Sequence, residues 1–249
     1  MPNVTSAAGV ALEYEYLPGA GPVVVFCPGY ASHMGGTKAN ALLAAARARE
    51  QAMLRFDYSG HGASGGDFVD GSISLWTADA AKVIEEAIPG QDIIFVGSSM
   101  GGWISLLLAC ELKARVKAML LIAPATDFTE RLIRPRLSAK QKAELKEKGV
   151  IHQPNEDGET LPLTQKFLED GAQNLLLNEA IPVACPVHIL HGMHDATVPW
   201  EMSLKLAELL ESQNVRLNFV KDGDHRLSRP QDLRLLTDLF GLVLNEARW

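Results

Sequence analysis

A serine, an acid and a histidine follow one another along this chain in an order that suits acyl transfer. Gly97-Ser-Ser-Met-Gly101 fits Gly-x-Ser-x-Gly, with Ser99 in the nucleophile position. An apolar run precedes the pentapeptide and a helical pattern follows it, so Ser99 falls on a sharp strand-to-helix turn. Small flanking residues relieve the crowding of such a turn. The helix N-terminus then lies beneath the charge that develops on a reacting carbonyl. A serine hydroxyl is inert at neutral pH without a base. Downstream, Asp195 closes His191-Gly-Met-His-Asp195 just after an apolar run, and His225 lies in Asp222-Gly-Asp-His-Arg after the next one. Catalytic groups of open α/β sheets gather at the carboxyl ends of strands. The candidate roles are therefore nucleophile for Ser99, general base for His225 and orienting acid for Asp195. A tetrahedral intermediate also needs two N–H donors. The candidates are the amides of Met100, directly after the serine, and Tyr30, in the Pro28-Gly29-Tyr30 turn.

Several other residues compete for these roles. Asp127 follows the preceding strand and is an alternative acid. Asp222 and Asp224 neighbour His225 in sequence but are poorly placed to meet its ring, and Asp57 is expected to tie down Tyr58-Ser-Gly-His-Gly62. His188, His191 and His194 have a spacing that would suit metal ligands on a helix. They fall on a strand and its terminal loop, so no metal site is expected. His33 and His61 read as local hydrogen-bonding groups near the mouth of the site, and Cys27 as a small core residue. No cofactor is called for.

These residues need a scaffold, and short apolar runs alternate with helical periods along the chain. Strands are expected at Val23–Cys27, Met53–Asp57, Ile93–Val96, Ala118–Ile122, Val187–Leu190 and Leu217–Val220. Helices are expected from a Thr37 cap to Arg49, over Leu75–Ala87, Gly101–Ala114 and Glu201–Leu210, and from Gln231 onward. Continuous apolar strands with intervening helices imply an α/β fold: a mostly parallel sheet covered on both faces. Val10–Tyr16 alternates more, as an antiparallel edge strand would. Between Thr126 and Ala180 the rhythm stops. A charged segment at Lys140–Lys148, a hairpin around Asn155-Glu-Asp-Gly158 and a helix over Lys166–Leu176 are expected there. This predicts one core domain, residues 1–125 and 181–249, interrupted by an inserted cap or lid at 126–180. Arg131, Arg134 and Arg136 in that insertion read either as a solvated face or as a charge that selects carboxylate-bearing substrates.

Composition narrows the function. The 249 residues carry a formal charge of −7 with scattered cations, which argues against a nucleic-acid surface. No apolar stretch reaches the roughly 20 residues of a membrane span, so no stable membrane insertion is expected. Three cysteines, far apart and odd in number, suggest a reducing compartment. With an N-terminus that reads as neither a secretory signal nor an Arg-rich transit pattern, the expected location is cytoplasmic.

The motifs also resemble a known family. Pro28-Gly-Tyr30, Met34-x-Gly36-Thr-Lys38-Ala, Arg55-Phe-Asp-Tyr-Ser-Gly60 and Gly97-Ser-Ser-Met-Gly-Gly-Trp103 recur in one branch of the α/β-hydrolases. So do Pro186-Val-His-Ile-Leu-His-Gly-Met-x-Asp195-x-x-Val-Pro-Trp200 and Asp224-His-Arg226. That branch includes mammalian mitochondrial acyl-protein thioesterases and acyl-glucuronide esterases. The resemblance implies the α/β-hydrolase fold, with the triad on Ser99, Asp195 and His225. It also implies cofactor-free hydrolysis of an ester or thioester in a small or acylated substrate, by a monomer or homodimer. The alternatives are a general small-ester carboxylesterase and, in a different class, a ligand receptor built on the same fold.

Overall fold

Successive side chains of the central strands go to opposite cores, because the sheet is buried on both faces. The computed structural model describes residues 2–154 and 160–247. From the N-terminus the chain forms β1 (Asn3–Thr5), β2 (Ala11–Leu17), β3 (Ala20–Cys27), helix α1 (Thr37–Ala48), β4 (Gln51–Phe56) and α2 (Ile73–Ala87). Next come β5 (Ile93–Ser98), α3 (Met100–Leu112), β6 (Val116–Ile122), a π-helical turn (Thr129–Ile133), α4 (Arg134–Arg136) and α5 (Ala139–Lys148). The hairpin strands β7 (Val150–Pro154) and β8 (Thr160–Thr164) lead to α6 (Gln165–Gly171). β9 (Val187–Gly192), α7 (Glu201–Leu209), β10 (Val215–Val220) and α8 (Pro230–Glu246) complete the chain. Among the described residues, eight strands form one sheet in the order β1-β2-β4-β3-β5-β6-β9-β10. All neighbours from β4 to β10 pair in parallel. Val24, Phe26, Ile94, Val96 and Leu120 pack with α1 and α8, whereas Val23, Val25, Phe95 and Leu121 pack with α2, α3 and α7.

Three local readings need correction. Val10–Tyr16 is an antiparallel strand on β4, but β1 covers its outer side, so it is not the edge. A three-residue strand is too short to leave a periodic trace. Thr37 does not cap α1. Gly36 occupies the cap with extended backbone and Thr37 begins the helix. The helix expected to reach Leu176 ends at Gly171, because the N–H groups of Leu176 and Leu177 donate to the Asp127 carboxylate, both at 2.8 Å.

Between β6 and β9 the chain leaves the sheet. α5 is a defined helix despite its charge. Ser138 and Gln141 form a reciprocal capping box at its start, and Gly149 ends it in the left-handed conformation (φ 74°). β7 and β8 pair antiparallel from Val150↔Thr164 to Pro154↔Thr160. The expected turn residues Asn155-Glu-Asp-Gly158 lie outside the described residues. Phe167 and Leu168 of α6 are buried against the main core, and the Trp103 indole N–H donates to Asn174 O at 3.0 Å.

Candidate active site

Ser99 lies between β5 and α3 with φ 54° and ψ −120°, a conformation that L-residues rarely adopt. The local sequence permits the turn. A Cβ on Gly97 would lie 2.6 Å from Ser105 Oγ and 2.7 Å from Gly102 Cα, and one on Gly101 would collide with the Cys27 carbonyl. Backbone bonds hold the turn from both sides, Ser99 N–H to Ile122 O at 2.9 Å and Ala125 N–H to Ser99 O at 3.0 Å. Ser99 as a residue is partly exposed.

Sheet order brings the remaining groups to this point. β9 and β10 are parallel neighbours, so the loops after them emerge together at the same end as the turn after β5. His225 Nε2 lies 3.1 Å from Ser99 Oγ, and His225 Nδ1 lies 2.7 Å from Asp195 Oδ2. A carboxylate accepts, so Nδ1 carries the proton and Nε2 is free to accept the serine proton. The other Asp195 oxygen accepts the N–H groups of Thr197 (2.9 Å) and Val198 (2.7 Å). Burial alone would raise the Asp195 pKa. Hydrogen bonds from His191 and His225, the charge of His225 and the Val198 amide outweigh it and hold the carboxyl well below the usual range.

His191 is the partner that sequence reasoning missed. Its Nε2 lies 3.0 Å from both Asp195 Oδ2 and Val198 O, two acceptors, so Nε2 carries the proton. Nδ1 then accepts the Ser203 hydroxyl at 2.7 Å. The available signal was strand alternation: His191 shares a face with the buried Ile189. His188 instead pairs with Glu246 at 3.0 Å, so the three-residue histidine spacing brings no shared ligand set together. Asp127 is fully buried but faces the chain beyond α6, holding Leu176, Leu177 and Arg131 rather than His225. Asp222 pairs with Arg229, and Asp224 accepts Leu227 N–H at 2.9 Å. Asp57 ties down its turn as expected, accepting the N–H groups of Met34 (2.6 Å) and Ala63 (2.8 Å).

The loop after β3 runs beside the serine, where a Cβ on Gly29 would stand 3.3 Å from Ser99 Cβ. Among the described residues the amides of Tyr30 and Met100 donate to no protein acceptor. Cys27, one residue before this loop, is core: burial pushes its thiol pKa up to about 12. Lys38 Nζ donates to Arg226 O at 2.6 Å, bracing the His225 loop. Burial above all pushes that ammonium pKa down to about 8. The Tyr30 ring stacks on Phe167 (5.3 Å, 27°) and meets Phe68 and Phe128 edge-on, while its hydroxyl donates to Pro162 O of β8 at 3.1 Å. Of Arg131, Arg134 and Arg136, two are engaged internally, Arg131 with Asp127, Leu177 O and Asn178, and Arg134 with Glu130.

Comparison with known proteins gives the family. The Hydrolase_4 family, described as serine aminopeptidase, S33, matches residues 20–182. The mitochondrial palmitoyl-protein thioesterase ABHD10 of Pongo abelii is 36% identical over 227 residues, 90% of this chain and 74% of that protein. A hydrolase-like protein solved from Agrobacterium vitis S4 superposes with a TM-score of 0.93 at 42% identity, covering 98% of each chain. Mouse α/β-hydrolase domain-containing protein 10 superposes with a TM-score of 0.90 at 32% identity, again over 98% of each chain. The curated relatives are mitochondrial by name, which overturns the cytoplasmic expectation. Free, scattered thiols suit any reducing compartment and do not separate cytoplasm from mitochondrion. Among the described residues no helix is long and apolar enough to cross a membrane. The chain belongs to the Hydrolase_4 family of α/β-hydrolases and is a serine hydrolase of the ester and thioester type.

Proposed function

We propose that Ser99, His225 and Asp195 form the catalytic triad of a long-chain acyl thioesterase, with the Tyr30 and Met100 amides as its oxyanion hole. The observation that carries this reading is the unbroken relay from Ser99 Oγ through His225 (3.1 Å) to Asp195 (2.7 Å), set on a serine at positive φ. Ser99 Oγ attacks the acyl carbonyl while His225 Nε2 takes its proton. Asp195 stabilises the imidazolium, and the two amides bind the oxyanion. His225 then gives the proton to the departing thiol or alcohol, leaving an acyl ester on Ser99. Water attacks that ester by the same route and frees the acid. The relatives named palmitoyl-protein thioesterases support a fatty acyl thioester as substrate. The packed rings of Tyr30, Phe128 and Phe167 support it too, since they make the surroundings of the proposed oxyanion residue apolar, which suits an acyl chain better than a charged group. Residues 126–180 are read as a lid over the 1–125 and 181–249 core. All the proposed groups come from one chain, so a monomer suffices and a homodimer is equally compatible.

Labelling with a fluorophosphonate, followed by peptide mapping, tests the assignment. Label is expected on Ser99 and lost in Ser99→Ala and His225→Ala, with turnover falling ~10⁴-fold or more in each. Label on another residue, or turnover unchanged in Ser99→Ala, would refute it. Palmitoyl thioesters should be cleaved in preference to short esters; the reverse preference would favour a general carboxylesterase.

A further inference from the structure

We propose that His61 is a positioning residue for the oxyanion hole, fixing the turn that presents the Tyr30 amide by accepting the N–H of Ala31; this rests on the reading of Tyr30 given above.

Three observations carry the proposal. The first is the turn itself. Ser32 N–H donates to Gly29 O at 3.1 Å, closing a four-residue turn with Tyr30 and Ala31 at its centre. Ala31 has φ 53°, the left-handed third position that ordinarily calls for glycine. A turn of this kind relaxes by flipping its central peptide, which would return Ala31 to negative φ. Something must therefore hold the peptide between Tyr30 and Ala31 in the observed orientation.

The second observation is what holds it. His61 Nε2 lies 3.2 Å from Ala31 N, the N–H of that same central peptide. On the other side of the ring, His61 Nδ1 lies 3.1 Å from the Ser59 carbonyl. A carbonyl can only accept and an amide N–H can only donate, so one tautomer is possible: Nδ1 protonated, Nε2 carrying a lone pair. A flipped peptide would aim the Tyr30 carbonyl at that lone pair, which opposes the flip.

The third observation is that the ring cannot turn away or readily change its charge. His61 is 4% exposed and packs edge-on against Trp76 (4.9 Å, 85°) and Tyr58 (5.6 Å, 75°), with Phe68 at 5.0 Å. Trp76 Nε1 donates to the same Ser59 carbonyl at 3.0 Å, fixing the far anchor. Burial lowers the His61 pKa, against opposing contributions from Ser59 O and Asp57, which favours the neutral form that the Ala31 bond requires. Tyr30 N–H shares its peptide with Gly29 O, which Ser32 N–H holds, and the His61 bond anchors the peptide on the other side of Tyr30, so both flanks of the residue that offers the N–H are tied down.

The test uses His61→Phe, which keeps the ring's shape and loses its acceptor, beside His61→Gln, which restores an acceptor. Complete loss of an oxyanion donor costs about 10²–10³-fold in kcat, and a misdirected one is expected to cost about 10–100-fold. His61→Phe should therefore lose about that much in kcat with KM within about twofold. Affinity for a palmityl trifluoromethyl ketone, which forms an oxyanion on Ser99, should fall in parallel. His61→Gln should recover most of the loss. If His61→Phe is poorly folded, the comparison moves to an Ala31→Gly background. Glycine accepts positive φ without strain, so there the fold-loss from His61→Leu, which also lacks an acceptor, should be smaller than with Ala31 in place. Unchanged kcat in His61→Phe, or a kcat loss with undiminished affinity for the ketone, would overturn the proposal. So would a loss from His61→Gln equal to that from His61→Phe, or an equal loss from His61→Leu in both backgrounds. Failure of the ketone to bind even the unaltered enzyme would instead refute the Ser99 assignment.

Discussion

At Asp195, two imidazole N–H groups and two backbone amides converge on one carboxylate. Such a group has a different environment from Asp127, although both follow sheet strands and both are buried. Asp195→Asn should lower kcat by about 10⁴-fold, because an amide no longer holds the correct tautomer of His225. Asp127→Asn should change kcat by less than about tenfold. Side-by-side kinetics on one acyl thioester decide it, and the opposite ranking would make Asp127 the acid. The same carboxylate also makes a pH prediction. Its folded pKa lies below the unfolded value of about 3.9, so the stability it contributes is present above that value and is lost as pH falls through the folded pKa. Urea midpoints should therefore drop more steeply on acidification in the unaltered protein than in Asp195→Asn. Parallel profiles would mean that the pairing adds no stability.

At the scale of elements, the β7–β8 hairpin and α6 are docked onto the residue proposed to bind the oxyanion. Tyr30 gives its hydroxyl to Pro162 O and its ring to Phe167, while the preceding Gly29 lies beside Ser99. Polar ties reinforce the contact nearby: Asp170 accepts Ser74 N–H at 2.9 Å, and Lys166 donates to Asp70 O at 2.7 Å. Tyr30→Phe removes one hydrogen bond and keeps the stack, a loss of about 0.5–1.5 kcal/mol. Hydrogen exchange of the described β7 and β8 amides should accelerate in this variant, with β5 and β6 unaffected. Equal protection in both proteins would show that the hydroxyl does not hold the hairpin.

At the scale of the molecule, the sheet separates two cores. The α1/α8 side contains Phe240, fully buried, and holds none of the groups proposed to act on substrate. The α2/α3 side continues into the aromatic layer of Tyr30, Phe128 and Phe167. Phe240→Ala should cost about 3–5 kcal/mol by thermal or urea unfolding, yet leave KM within about twofold below its melting range. Phe167→Ala should raise KM for palmitoyl more than for acetyl thioesters. If both variants shift KM alike, the two cores are not functionally separate.

Much of this arrangement was legible because its causes are local. Gly97 and Gly101 flank Ser99 since any side chain there meets backbone or a neighbouring helix residue. The runs at Val23–Cys27 and Ile93–Val96 are apolar throughout since both faces of their strands are covered. The sequence by itself therefore determined a parallel α/β sheet, the strained serine turn, and the presence of an acid and a histidine at later strand ends. Tertiary structure decided which groups meet. The order of strands brings the loops after β9 and β10 to the turn after β5, and no local pattern encodes a distance between strand ends. The same lack hid His191, whose partners Asp195 and Ser203 are fixed only when β9 and α7 pack. It hid the turning of Asp127 toward Leu176 and Leu177, and the grip of His61 on Ala31 across 30 residues of chain. Those bonds join segments that propensity and spacing treat as independent, and only packing sets their separation.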